Sequence, residues 1–165
     1  YISDMDWMRE KGVGLLLYGP NGLGKTCAAV VIGKEYRRRG ATVMFMAAAD
    51  IKSAVINGDT FDDSQTLMER ARTVDVLILD DLGKGIEDST GFGKRTLDDL
   101  VRSRAAGSRV TFITTNMKPG LQLQDALKNS TMHSLKESIM PVLFEGPDLR
   151  ERGAEEIRLR FAWEG

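Results

Sequence analysis

"GPNGLGKT", residues 19–26, is the stretch that decides the fold. Glycine and proline at this density cannot sit inside a helix or a central strand, so the segment is a turn. The apolar run 13–18 precedes it, too short for a typical helix and suited to a strand buried on both faces. Residues 25–39 follow it, free of proline, rich in alanine and valine, and closed by Gly40 as a helix cap. A glycine-rich turn between a strand and a helix N-terminus is built to receive an anion. Gly19, Gly22 and Gly24 let the backbone take dihedrals that other residues avoid, while the unpaired N–H groups and positive dipole end of the helix face the same point. Lys25 supplies a point charge for β- and γ-phosphate oxygens, and the Thr26 hydroxyl suits Mg²⁺. Gly19, Pro20, Asn21, Gly22, Leu23, Gly24, Lys25, Thr26 and Cys27 are therefore the expected cradle for ATP or ADP with Mg²⁺.

Working outward, further apolar runs occupy residues 42–46, 74–79, 110–115 and 141–144. Helix-compatible stretches lie between them at 49–56, 64–72, 93–104 and 121–128. In the third of these, Leu97, Leu100, Val101 and Arg104 fall at i, i+3, i+4 and i+7, an apolar stripe finished by what reads as a solvated charge. Strands alternating with helices predict an α/β fold, a five-stranded parallel sheet flanked by helices. Residues 57–59 and 83–93 read as loops. Residues 157–163 alternate apolar with polar or small, which suits an extra C-terminal strand or a packing arm.

Two more strand ends carry chemistry. In an open parallel sheet, ligands bind beyond the carboxyl ends of the strands. The run 74–79 ends on Asp80 and Asp81, at the edge where the glycine-rich turn leaves its own strand. Asp80 is placed to hold Mg²⁺ opposite Thr26, and Asp81 to orient or deprotonate an attacking water. The run 110–115 ends on Asn116, a polar group for the water or a γ-phosphate oxygen.

Composition bounds the rest. The 165 residues suit one domain with a real core, and the formal net charge is −1. Any polyanion contact must therefore come from a local patch. Arg37, Arg38 and Arg39 are one such patch, though cations at a helix C-terminus also complement its dipole. The single cysteine, Cys27, forms no internal disulfide and reads as a small packing residue of the helix. A lone cysteine and no membrane-length apolar run lead us to expect a cytoplasmic protein without a membrane partner. His133, the single histidine, reads as a surface or loop residue. Met44 and Met46 read as core fillers, and Trp7, just before the first strand, as packed on the core.

"GPNGLGKT", "VLILDDLG" (76–83) and "VTFITTN" (110–116) resemble the Walker A, Walker B and sensor 1 motifs of AAA+ ATPases. The opening through Thr26 is similar to one branch, the ATPase domain of bacterial replicative-helicase loaders (DnaC-like) and of transposition ATPases (IstB-like). The resemblance spans residues 1–152. It implies ATP hydrolysis, a helicase or transposase partner, single-stranded DNA binding and a nucleotide-dependent homo-oligomer. It also implies a sensor 2 role for Arg150 in "GPDLRER" (146–152), and a DNA-contacting role for Lys52. The loaders' N-terminal helicase-binding domain has no counterpart here, so the chain reads as a single AAA+ domain. No arginine lies between Arg109 and Arg150, where the family's arginine finger is expected; Lys128, Lys136, Arg102 and Arg104 are the substitutes on offer. A small-molecule phosphotransferase would need an arginine-rich lid that residues 121–138 do not supply. A weakly hydrolysing nucleotide switch remains open, because Asp81 stands where Glu is commoner.

Overall fold

A computed structural model of the chain describes residues 2–51, 63–83, 91–120, 123 and 129–150. A single turn of 3₁₀ helix, Ile2–Asp4, leads into α1 (Met5–Lys11). Then follow β1 (Gly14–Tyr18), α2 (Lys25–Arg38), β2 (Val43–Ala47), α3 (Asp63–Thr73) and β3 (Val76–Leu82). The chain continues through α4 (Phe92–Ala106), β4 (Val110–Thr115), α5 (Asn129–Ser138) and β5 (Ile139–Leu143). The strands form one five-stranded sheet in the order β2-β3-β4-β1-β5, with every pairing parallel.

Alternation along the strands sorts side chains onto two faces. Leu16, Leu77, Leu79 and Ile113 face α3 and α4, joining Met68, Leu97, Leu100 and Val101. Leu15, Leu17, Val76, Ile78 and Phe112 face α2, joining Ala29 and Tyr36, with Met5 of α1 in the same cluster. Burial on both faces is what makes these strands read as continuous apolar runs. Met46 is buried and Met44 packs against the same core, as expected for fillers.

The structure departs from the sequence reading at several points. The charge ending the α4 stripe is not solvated. Arg104 is fully buried, its guanidinium donating to Ala71 O (2.7 Å), Val74 O (2.9 Å) and Val110 O (2.6 Å), and its Nε to Thr111 Oγ1 (3.0 Å). It pins the carbonyls that close α3 to the start of β4, where the negative end of a helix dipole favours a cation. Its burial also removes it as an arginine finger. Trp7 is 54% exposed; α1 buries Met5 instead. Helix α5 covers a stretch that reads as polar and loop-like, and among its described side chains Leu135 joins the core. His133 lies on its exposed side, 3.5 Å from Glu137 Oε1. The strand anticipated at 157–163 lies outside the described residues, as do most of the helices anticipated at 49–56 and 121–128.

Candidate functional site

The turn after β1 has the predicted form. Gly19 has φ 135°, and a Cβ there would lie 2.2 Å from Phe144 O, just beyond β5. Gly22 has φ 78°, and a Cβ there would meet the Asp148 carboxylate at 1.9 Å. Both positions have a left-handed backbone that favours glycine, and at Gly19 the fixed main-chain carbonyl of Phe144 leaves no room for a side chain as well. Leu149 N–H donates to Gly22 O (2.9 Å), which fastens the segment after β5 onto the turn. Lys25 is buried at the start of α2, and its Nζ donates to Gly19 O (2.8 Å) and Pro20 O (2.6 Å). The loop is curled around its own ammonium.

The acidic strand end meets this loop directly. Thr26 Oγ1 donates to Asp80 Oδ1 (2.8 Å), and Thr114 Oγ1 donates to the same oxygen (2.6 Å). Strand β3 carries a bulge here. Leu79 pairs with Ile113 and Leu82 with Thr115, so β3 has one residue more than β4 across the interval. Asp81 absorbs the extra residue with φ 56°, a conformation Asp and Asn tolerate better than most, and its N–H donates to Thr114 Oγ1 (2.9 Å). The bulge is what brings both neighbouring carboxylates to one cleft instead of opposite sheet faces. Thr114, which sequence reasoning passed over, therefore orients Asp80 and Asp81 together. The signal for it was a threonine in a strand buried at every position, a feature it shares with Thr111 and Thr115, because a buried hydroxyl needs partners.

These groups line a cleft of about 480 Å³. Gly22, Gly24, Lys25 and Thr26 form one wall; Asp80, Asp81, Thr114 and Asn116 form the other. Leu149 and Arg150 complete the rim. The residues from four separate stretches of sequence thus meet at one sheet edge. Cys27 lines the cleft too and is exposed, which corrects its reading as a packing residue. The arginine triplet is elsewhere, at the far end of α2, roughly 18 Å along the axis from Lys25 at 1.5 Å per residue. Arg38 pairs with Glu35, and Arg39 with Glu35 and Asp6, so within the triplet Arg37 alone has no ion pair among the described residues. Lys52 and Lys128 lie outside the described residues. Arg102 is half exposed and faces Asp98 and Asp99 at 3.9 and 4.0 Å.

The sheet order, the phosphate-type loop after β1, and the polar ends of β3 and β4 at one edge define a P-loop domain of the AAA+ class. The chain belongs to the IstB-like ATP binding protein family, whose model matches residues 2–134. It is 33% identical over 118 residues to the candidate ATP-binding protein of insertion sequence IS1162 from Pseudomonas fluorescens, covering 70% of this chain and 48% of that one. It is 32% identical over 120 residues to the replicative helicase loader DnaC of Escherichia coli strain K12, covering 70% of this chain and 46% of the loader. The crystal structure of the DnaC helicase loader matches its fold with a TM-score of 0.73 at 24% identity, covering 87% of each chain. The chain spans about half the length of those curated relatives. No helix among the described residues is long and apolar enough to cross a membrane.

The exposed thiol gives a direct test of where nucleotide sits. ATP or ADP filling the cleft should slow maleimide modification of Cys27 several-fold. An unchanged rate at saturating nucleotide would place the ligand elsewhere.

Proposed function

We propose that this chain is the ATP-hydrolysing AAA+ domain of a replication helicase loader, coupling ATP to engagement of a helicase and single-stranded DNA. The observation that carries the hydrolytic part is the Thr26–Asp80 contact of 2.8 Å, which joins the phosphate loop to the acidic strand end. A hydroxyl and a carboxylate oxygen side by side are the donor set of a hard cation that keeps waters and phosphates as its other ligands. Among the described residues no group of three or more His, Cys, Asp or Glu side chains is arranged to hold a metal ion, and Mg²⁺ held with a nucleotide does not need one. In this reading Thr26 and Asp80 hold Mg²⁺, which neutralises charge on the β- and γ-phosphates. The loop N–H groups and Lys25 grip the phosphates. Asp81 orients the attacking water and draws off its proton, Asn116 steadies the water or a γ-oxygen, and Arg150 approaches the phosphates from the rim.

Asp81→Asn tests the assignment cleanly. Asn is close in shape and tolerates the same φ, so the bulge survives. Nucleotide affinity should stay within about twofold, and phosphate release should fall by roughly 10²- to 10⁴-fold, the range for loss of a general base. Wild-type turnover in the variant would remove Asp81 from the mechanism. Turnover too slow to measure in the wild type, with tight binding, would instead favour the nucleotide-dependent protein-binding switch.

The similarity to an insertion-sequence ATP-binding protein favours a second reading, a transposition ATPase that regulates a transposase. The two share their ATP chemistry and differ in partner. Purification with a replicative helicase and with a transposase, each in ATP and in ADP, separates them. Capture of the transposase alone would decide against the loader. A nucleotide-dependent homo-oligomer is part of either reading.

A further inference from the structure

A second groove runs down the side of α2, away from the nucleotide cleft but sharing Thr26 with it. Its volume is about 410 Å³. Val30, Lys34 and Arg37 come from α2 at i, i+4 and i+7, one face of a helix. Val43 and Phe45 come from β2, two residues apart and therefore on one face of the sheet. Strand β2 ends the sheet order and pairs, among the described residues, with β3 alone. Gly33 draws α2 close to the sheet, since a Cβ there would lie 2.8 Å from Ile78 Cδ1. That approach sets the cations of α2 beside the edge strand.

Three properties of the groove belong together. Phe45 is 49% exposed, an aromatic ring presented to solvent. Lys34 and Arg37 are exposed and have no ion pair among the described residues, whereas the neighbouring Arg38 and Arg39 are neutralised by acids. Among the described residues, no acidic side chain lines the groove. An uncovered ring flanked by uncompensated cations is the chemistry that stacks a base and holds its phosphates. At i, i+3 spacing the two cations have Cβ atoms about 5–6 Å apart, close enough to serve neighbouring phosphates of one strand.

We infer that the α2–β2 groove is a binding site for single-stranded nucleic acid, with Phe45 stacking a base and Lys34 and Arg37 holding the adjoining phosphates. This deepens the single-strand part of the proposed function and rests on it. It relocates the polyanion contact from the whole arginine triplet to the one member left unpaired, and adds two residues that composition did not mark. Thr26 lines both the cleft and the groove, so the two share the first turn of α2.

The test is titration of a fluorescent oligothymidylate with the full chain, in ATP, at several salt concentrations. Phe45→Ala should weaken binding about tenfold, and Phe45→Trp should restore it, because stacking needs a ring and not a particular residue. The double variant Lys34→Ala/Arg37→Ala should flatten the salt dependence, its log–log slope falling by about 1.4 at about 0.7 per phosphate contact. ATP affinity should be unchanged in all three, which reports that they fold. Wild-type DNA binding that none of the variants alters would overturn the groove and leave the single-strand function standing. No wild-type binding at low salt would overturn both. Equal binding to duplex DNA would overturn the stacking role of Phe45. If sedimentation shows that Phe45→Ala abolishes self-association while DNA affinity holds, the groove is a contact between copies of this chain and the inference fails.

Discussion

Lys25→Ala should lose ATP and ADP binding by at least about a hundredfold. Charge-assisted hydrogen bonds to phosphate are among the stronger contacts available to a side chain, and about 1.4 kcal/mol is a factor of ten in affinity. The ammonium donates to Gly19 O and Pro20 O, so the loop is wrapped around a positive charge. Removing that charge takes away both the phosphate contact and the group that organises the loop. The fold itself should lose little, on the order of 1 kcal/mol, because hydrogen bonds of this kind are worth roughly that net of water. Calorimetric titration with ADP, alongside a denaturant curve, reads both effects. Binding within threefold of wild type would mean that the cleft does not grip phosphate through Lys25.

The largest effect on stability is expected at Arg104. Burial draws its guanidinium down to about 9, the nearby Arg109 charge acting in the same direction and Asp75 opposing it. It therefore remains charged at neutral pH, inside the protein, and is tolerated because main-chain carbonyls of Ala71, Val74 and Val110 and the hydroxyl of Thr111 accept its hydrogen bonds. Arg104→Ala would leave those acceptors without donors and open a cavity as large as the side chain. The cost should be about 4–5 kcal/mol, combining cavity and unsatisfied polar groups. Against a total stability of roughly 5–15 kcal/mol, that threatens folding at ordinary temperature. Arg104→Lys should do less damage but not rescue fully, because an ammonium lacks the planar fork that reaches several carbonyls at once. Urea unfolding of both variants decides the matter. A cost below about 1 kcal/mol for Arg104→Ala would show that the carbonyls find other donors.

Arg104 also shows where a sequence stops informing. Its i, i+7 relation to Leu97 fits the end of an apolar stripe as well as a surface charge. What distinguishes the two is whether acceptors wait at that spot, and those come from the end of α3 and the start of β4. The same applies to Trp7 and Cys27. A tryptophan next to a strand invites burial, and a small thiol in a helix invites packing, yet α1 turns Met5 inward and α2 turns Cys27 to the cleft. Short helices on marginal patterns, α1 and α5, escaped notice because a few apolar residues in a polar segment carry almost no period.

The phosphate loop was legible because its requirements are local. Spacing, backbone freedom and a helix start are all set within residues 19–26, and each leaves a residue type behind. The parallel sheet was legible because strands buried on both faces must be apolar throughout. Asp80, Asp81 and Asn116 could be placed at strand ends from their position after apolar runs. Their meeting was not in the sequence. It depends on the strand order, which puts β3, β4 and β1 side by side, and on one extra residue in β3 that swings Asp81 into the left-handed region. It depends as well on Thr114, whose hydroxyl binds Asp80 and the Asp81 backbone at once. Those are contacts between segments more than thirty residues apart. Residue type declares what a position needs, and only tertiary structure brings the partner that supplies it.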